Sequence, residues 1–216
     1  MALKALFLNC TLKKSPEVSN TRAFIDKSIS IFKELDVETE VIRVIDYNIN
    51  FGTATDMGNG DQWPAIHNQI KQADILIIAT PVWRGDRGSI AKMVSERMDG
   101  LFSDDHNDND QYMTYNKVAG ALVDGNEDGA KKAISSILFD LSEHGFTLAV
   151  NPFSYYVGEA GPGPSYIEAK GDKHEFTNNM LLIMAQNMVH LAESLKANPY
   201  PIKLTQVKEK AKKISQ

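Results

Sequence analysis

Between Ala73 and Pro81 the chain reads A-D-I-L-I-I-A-T-P, and Ile75–Ala79 is apolar at every position. A strand with one wet face alternates. A run that never alternates must be covered on both faces, as a central strand of a parallel sheet is. The flanking sequence supplies that cover. Leu3–Leu8, Lys117–Val123 (K-V-A-G-A-L-V) and Phe146–Val150 read as further strands, and Glu38–Val44 (E-T-E-V-I-R-V) alternates as a strand near a sheet edge does. Helical spacing runs through Ser19–Leu35 (Phe24, Ile25, Ile29, Phe32, Leu35), Trp63–Gln72, Ser89–Leu101 and Glu127–His144, with Gly145 placed to stop the last. A long helix follows over about Lys173–Leu195 and is broken at Ala197-Asn-Pro-Tyr-Pro; Thr205–Gln216 is a charged helix candidate. Strands alternating with helices predict an α/β, doubly wound fold with a five-stranded parallel sheet. We expect one domain over residues 1–216, with a C-terminal helical extension from about 173 to 216.

Composition bounds the partners. The 216 residues are 43% hydrophobic, enough for a full core, and carry a net charge of -5 with a pI near 5.5. That balance argues against nucleic acid as the main partner. No apolar run approaches the roughly 20 residues of a membrane span. The single cysteine, Cys10, excludes an internal disulfide and fits a reducing compartment. The start runs into a strand with no secretory pattern, so a cytoplasmic location is expected.

Ligands of doubly wound sheets lie outside the C-terminal strand ends, and three loops there carry polar groups. After strand one, Asn9–Thr21 passes through Thr11, Lys13, Lys14 and Ser15 to Ser19-Asn20-Thr21 at a helix start, where a phosphate binds well. Ser19 as a simple cap is the alternative. After strand three, Thr80–Ser89 holds Pro81, expected to end the sheet ladder, the flat indole of Trp83, and Gly85. After strand four, Asp124-Gly-Asn-Glu-Asp-Gly129 opens a helix, where its acidic residues also suit the dipole. Together the three loops point to a phosphorylated planar cofactor.

Other chemistries lack their residues. A phosphatase nucleophile at Cys10 would need an arginine six positions on, where Pro16 stands. The phosphate-binding glycine fingerprints of nucleotide enzymes are missing after strand one. Asp104–Asp110 falls short of a calcium loop, with Asp110 in place of the required glycine and Asn116 in place of the glutamate; it reads as a solvated loop. The five histidines show no metal spacing, and His190, between apolar neighbours, is expected to pack. Leu181, Met184, Ala185, Met188, Leu191, Ala192 and Leu195 form a core stripe or a subunit contact.

The chain resembles the flavodoxin-like NAD(P)H-dependent FMN reductases, relatives of the NAD(P)H quinone reductases. The resemblance lies in Asn9–Arg22, in Ala73–Gly85 with Ser89–Arg97, and in Gly120–Ala130. It implies strand order 2-1-3-4-5, non-covalently bound FMN, and NAD(P)H as reductant. By position, Thr11, Ser19, Asn20 and Thr21 would hold the phosphate. Pro81, Val82, Trp83, Arg84 and Gly85 would line the ribityl chain and ring, with Gly125, Asn126, Glu127 and Gly129 on the far side. The longer first loop (Leu12–Val18), the insertion Ser103–Asn116 and the extended C-terminal region depart from the simplest members. Electrons would pass to a small-molecule acceptor such as a quinone or free flavin. The chemistry is the cofactor's, so no protein group is assigned as catalytic. A homodimer or homotetramer is expected. A flavodoxin-type electron carrier that does not oxidise NAD(P)H is the alternative. Ser154–Tyr166 follows strand five, and its Tyr155, Tyr156 and Tyr166 are expected beside the flavin, with Arg84 and Arg87 meeting nicotinamide phosphates. Tyrosines packed on the final helix would be the structural alternative.

Overall fold

The computed structural model describes residues 2–158, 161 and 163–215. Its strands are β1 (Lys4–Asn9), β2 (Glu38–Arg43), β3 (Ile75–Trp83), β4 (Asp86–Arg87), β5 (Val118–Asp124) and β6 (Thr147–Tyr156). Its helices are α1 (Asn20–Glu34), α2 (Trp63–Gln72), α3 (Ser89–Arg97), α4 (Ala130–Glu143), α5 (Glu175–Ala197) and α6 (Leu204–Ile214). The parallel sheet runs β2-β1-β3-β5-β6, which is the expected 2-1-3-4-5 order once the two-residue β4 is set aside. This is the flavodoxin-like arrangement.

The apolar strands divide their side chains between two cores. Leu6 and Leu8 of β1 and Leu76 and Ile78 of β3 face Trp63, Ile66, Val94, Ile137 and Leu141 from α2, α3 and α4. Ala5, Phe7, Ile75, Ile77 and Ala79 face Phe24, Phe32, Leu181, Met184 and Met188 from α1 and α5. Each neighbouring residue thus serves the opposite core, which accounts for the unbroken apolar run.

Four expectations need correction. Pro81 does not end the ladder: it pairs in register with Asp124, and its carbonyl accepts from the Gly88 N–H at 3.2 Å. Proline lacks only the donor, so β3 continues to Trp83 and folds back into β4 through Arg84 (φ 55°) and Gly85 (φ 75°). Two consecutive positive φ values make a turn whose twist matches a hairpin. Secondly, β6 runs to Tyr156 instead of Val150. The register with β5 shifts between Ala119 and Ala121, where the Pro152 carbonyl approaches Gly120 so closely that a Cβ would lie 2.4 Å from it. Alternation patterns do not carry across such a bulge. Thirdly, α4 starts at Ala130 because Gly129 adopts φ 119°. Finally, His190 is exposed on α5, while the core stripe beside it is buried or half-buried as expected.

Two buried polar anchors fix the long connections. The Arg97 guanidinium, fully buried, donates to the carbonyls of Asn50, Ala54 and Thr55 at 2.5–3.2 Å and to Asp61 Oδ2 at 2.8 Å, beside the Trp63 ring. It ties the whole 46–61 connection to α3. Asp104 lies 2.7 Å from His67 Nε2 and 2.9 Å from Lys71 Nζ. Burial holds the His67 pKa low, although Asp104 pulls it up. The 103–116 insertion is largely exposed but not free, since Gln111 donates to the carbonyls of Tyr200 and Ile202 at 2.9 and 2.8 Å. Among the described residues no helix is long and apolar enough to cross a membrane.

Candidate functional site

The C-terminal ends of β1, β3 and β5 open onto one cleft, as the switch in strand order between β1 and β3 requires. Its first wall is the start of α1. Ser19 is extended (φ -119°) and its buried hydroxyl oxygen accepts from the Arg22 N–H at 3.1 Å. The first turn of α1 contains no acidic residue, so the positive end of the helix meets no carboxylate from its own turn. Asn20, Thr21, Thr11 and Lys13 line the cleft from this side. The Asn20 side-chain oxygen also accepts from the Ile167 N–H at 3.0 Å, closing the 163–170 segment over the site.

The second wall is the β3 hairpin. Pro81 and Val82 line the cleft, and Trp83 stands at its rim with 59% of its surface exposed, which leaves its indole available to a planar ligand. The third wall is Gly125 and Asn126, with Asn126 Nδ2 donating to the Gly163 carbonyl at 2.8 Å. At Gly125 a Cβ would crowd Val82, lying 3.1 Å from its Cβ.

The expected site residues therefore fall into three groups. Thr11, Asn20, Thr21, Pro81, Val82, Trp83, Gly125 and Asn126 share the cleft. Arg84 and Glu127 line an adjoining one with Trp83, where Glu127 Oε1 accepts from the Arg84 N–H at 2.8 Å. Ser19, Gly85 and Gly129 shape the loops: a Cβ on Gly129 would sit 2.4 Å from Gly85 Cα, so the two loops touch through bare backbone.

The aromatic segment after β6 behaves differently from expectation. Tyr156 (5% exposed) and Tyr166 (2% exposed) are packed against each other and, through Tyr166, on Phe24, so only Tyr166 reaches the cleft lining. Tyr155 packs edge-on against Phe176. Arg87 pairs with Asp140, 2.5 Å away, and does not line the cleft. Glu159, Ala160 and Pro162 of that segment lie outside the described residues. Burial pushes the Cys10 thiol up, and its Sγ donates to the Leu8 carbonyl, so it stays a neutral packing group.

Sequence reasoning missed Asp124. This last residue of β5 is 3% exposed and lines the cleft, yet its Oδ1 has no hydrogen-bond partner. Burial pushes its pKa up to about 7, and the Thr21 hydroxyl beside it only partly opposes that. A carboxylate ending an otherwise apolar strand was the available signal. The Tyr166 hydroxyl is likewise buried without a partner. Uncompensated polar atoms, an acid-free helix start and an exposed indole together fit a ligand that is anionic at one end and planar at the other.

The comparisons agree. Residues 3–160 match the model of the family described as NADPH-dependent FMN reductase. A relative from Streptomyces davaonensis, 8-demethyl-8-aminoriboflavin-5'-phosphate synthase, is 40% identical over 209 residues, covering 93% of this chain and 81% of that protein. The crystal structure of RosB with bound 8-demethyl-8-formylriboflavin-5'-phosphate superposes with a TM-score of 0.92 at 39% identity, over 100% of this chain and 88% of that one. An archaeal flavodoxin, 13% identical, matches in fold with a TM-score of 0.52 over 86% of this chain and 99% of its own. The chain belongs to the NADPH-dependent FMN reductase family, whose cofactors are FMN and the nicotinamide.

Proposed function

We propose that this protein binds FMN in the β1/β3/β5 cleft and oxidises NAD(P)H, passing the electrons to a small-molecule acceptor. The observation that carries this is the pairing of an acid-free α1 start with the exposed Trp83 across one cleft. Thr11, Asn20 and Thr21 would donate to the phosphate, with Ser19 holding their backbone in place. Pro81, Val82, Trp83, Gly125 and Asn126 would enclose the rest. FMN, when bound there, would supply the hydride-transfer chemistry between the nicotinamide and the second substrate. Arg84 forms no ion pair among the described residues and lines the adjoining cleft, where it would orient the anionic part of NAD(P)H; Arg87 is paired with Asp140. A quinone or a free flavin suits the acceptor role. The proposal includes a homo-oligomer in the cytoplasm; apolar side chains exposed at Phe139 and Val150 are consistent with subunit contact.

A second activity is favoured by the synthase relative, whose name gives a modified riboflavin 5'-phosphate as its product. The flavin bound here would then be a substrate. One experiment separates the two. Purified protein loaded with FMN is mixed with NADPH or NADH and several acceptors, with nicotinamide absorbance followed and the flavin mass determined afterwards. Nicotinamide consumption with unchanged flavin supports the reductase; a changed flavin mass supports the second activity; neither leaves the flavodoxin-type carrier. In the reductase case Arg84→Ala should raise KM for the nicotinamide about tenfold with little change in kcat, as lost charge-assisted hydrogen bonds predict.

A further inference from the structure

Asp124 presents a contradiction if it is ionised. It shares the cleft with Asn20 and Thr21, at the helix start best suited to an anion, and a carboxylate there would repel a phosphate. Its surroundings do not compensate a charge. Among the described residues no lysine, arginine or histidine lies within ion-pair distance of it. From β3 it faces Pro81 and from β6 Tyr156, its partners across the ladder. From α1 it faces the Thr21 hydroxyl, while Arg22 turns away to Asp26 at 2.8 Å. From the 163–174 segment it faces the Tyr166 phenol, which burial and the charge of Asp172 hold neutral; the His174 ring packs on Tyr156. Lys13 lines the same cleft from the loop after β1, and on the α4 side Glu127 is bonded to the Arg84 N–H.

We infer that Asp124 works in its neutral form, its buried carboxyl beside the α1 start carrying no charge to repel a phosphorylated flavin, so that ionising this carboxyl drives the ligand out. The inference rests on the proposal that the cleft holds FMN. A neutral carboxyl carries no charge to repel the phosphate, whereas a carboxylate beside the phosphate carries a like charge. The near-neutral pKa that burial gives Asp124 puts the switch within the physiological range. The sign is fixed. Binding that requires the proton is full below the folded pKa and is lost as pH rises through it.

The test is flavin fluorescence titration between mildly acidic and mildly alkaline pH, with FMN and riboflavin, on wild-type protein and Asp124→Asn. Wild-type affinity for FMN should fall by up to about tenfold per pH unit above neutrality, the limit for one linked proton. Asp124→Asn should lose that fall, retaining only the opposite trend from the second ionisation of the phosphate near pH 6. Riboflavin should show a shallower fall in the wild type. Parallel FMN profiles for the two proteins overturn the role of Asp124 while leaving FMN binding intact. No flavin binding at any pH removes the parent proposal and this inference with it. A measurement on the wild type alone covers a variant that does not fold. Calorimetry of FMN binding slightly above neutral pH, in buffers of different ionisation enthalpy, should show net proton uptake, and zero uptake or release overturns the inference.

Discussion

Arg97→Ala should lower the melting temperature by roughly 10 °C, since breaking a buried ion pair by removing one partner costs about 3–5 kcal/mol and a domain of this size shifts by about 2–4 °C per kcal/mol. The variant strands Asp61, whose side chain is fully buried, and abandons the carbonyls of Asn50, Ala54 and Thr55. In the native protein Asp61 is held below the usual carboxylate range by N–H groups of Met57, Trp63 and Asn50 together with Arg97, against the cost of its burial. Loss of Arg97 therefore leaves a charge with most of its backbone donors but no counter-ion. Adding Asp61→Asn should recover part of the loss. Lysine should not rescue, because one ammonium cannot span acceptors from residue 50 to residue 61. Circular dichroism melts check all three, and a melting temperature within a degree of wild type for Arg97→Ala would show that the 46–61 connection is held by other means.

The second large effect concerns the phosphate. Replacing Ser19, Asn20 and Thr21 together by alanine removes the Asn20 and Thr21 side-chain donors, worth about 1.5–3 kcal/mol each to a charged group, so FMN should bind at least tenfold more weakly. The structure separates this from collateral damage. Ser19→Ala alone loses the cap on the Arg22 N–H, about 1 kcal/mol of helix stability. Asn20→Ala alone releases the Ile167 N–H and loosens the closing segment for any flavin. Riboflavin, which lacks the phosphate, controls for both. Equal losses for FMN and riboflavin in fluorescence titration would show that these residues are structural.

Much of the fold was legible in the sequence because its signals are local. An apolar run such as Ile75–Ala79 has few physical solutions, and the five parallel strands and their helices follow from such runs. What escaped detection depends on partners distant in sequence. The β3–β4 hairpin is closed by Arg84 in a left-handed conformation, which no propensity of arginine suggests. The extension of β6 needs Pro152 to intrude on Gly120, a contact between residues 32 positions apart. The aromatic segment was ambiguous for the same reason. Tyr156 and Tyr166 have equal claims to a core and to a cleft, and only the position of Phe24 decides. At the cleft, loop residues flagged by glycine, proline and hydroxyl patterns came together. Asp124 did not declare itself, because a carboxyl in a strand reads as a strand end until its burial is known.

The central claim is that the cleft between α1, the β3 hairpin and Gly125–Asn126 holds FMN. The most direct measurement is to incubate the purified protein with excess FMN at slightly acidic pH, where Asp124 is neutral, remove free ligand by gel filtration, and record flavin absorbance and fluorescence. Retained flavin with a shifted spectrum and quenched emission is predicted, abolished or sharply reduced when Trp83 and Thr21 are both replaced by alanine. Protein that emerges colourless, with FMN fluorescence unchanged by its addition, would contradict the claim.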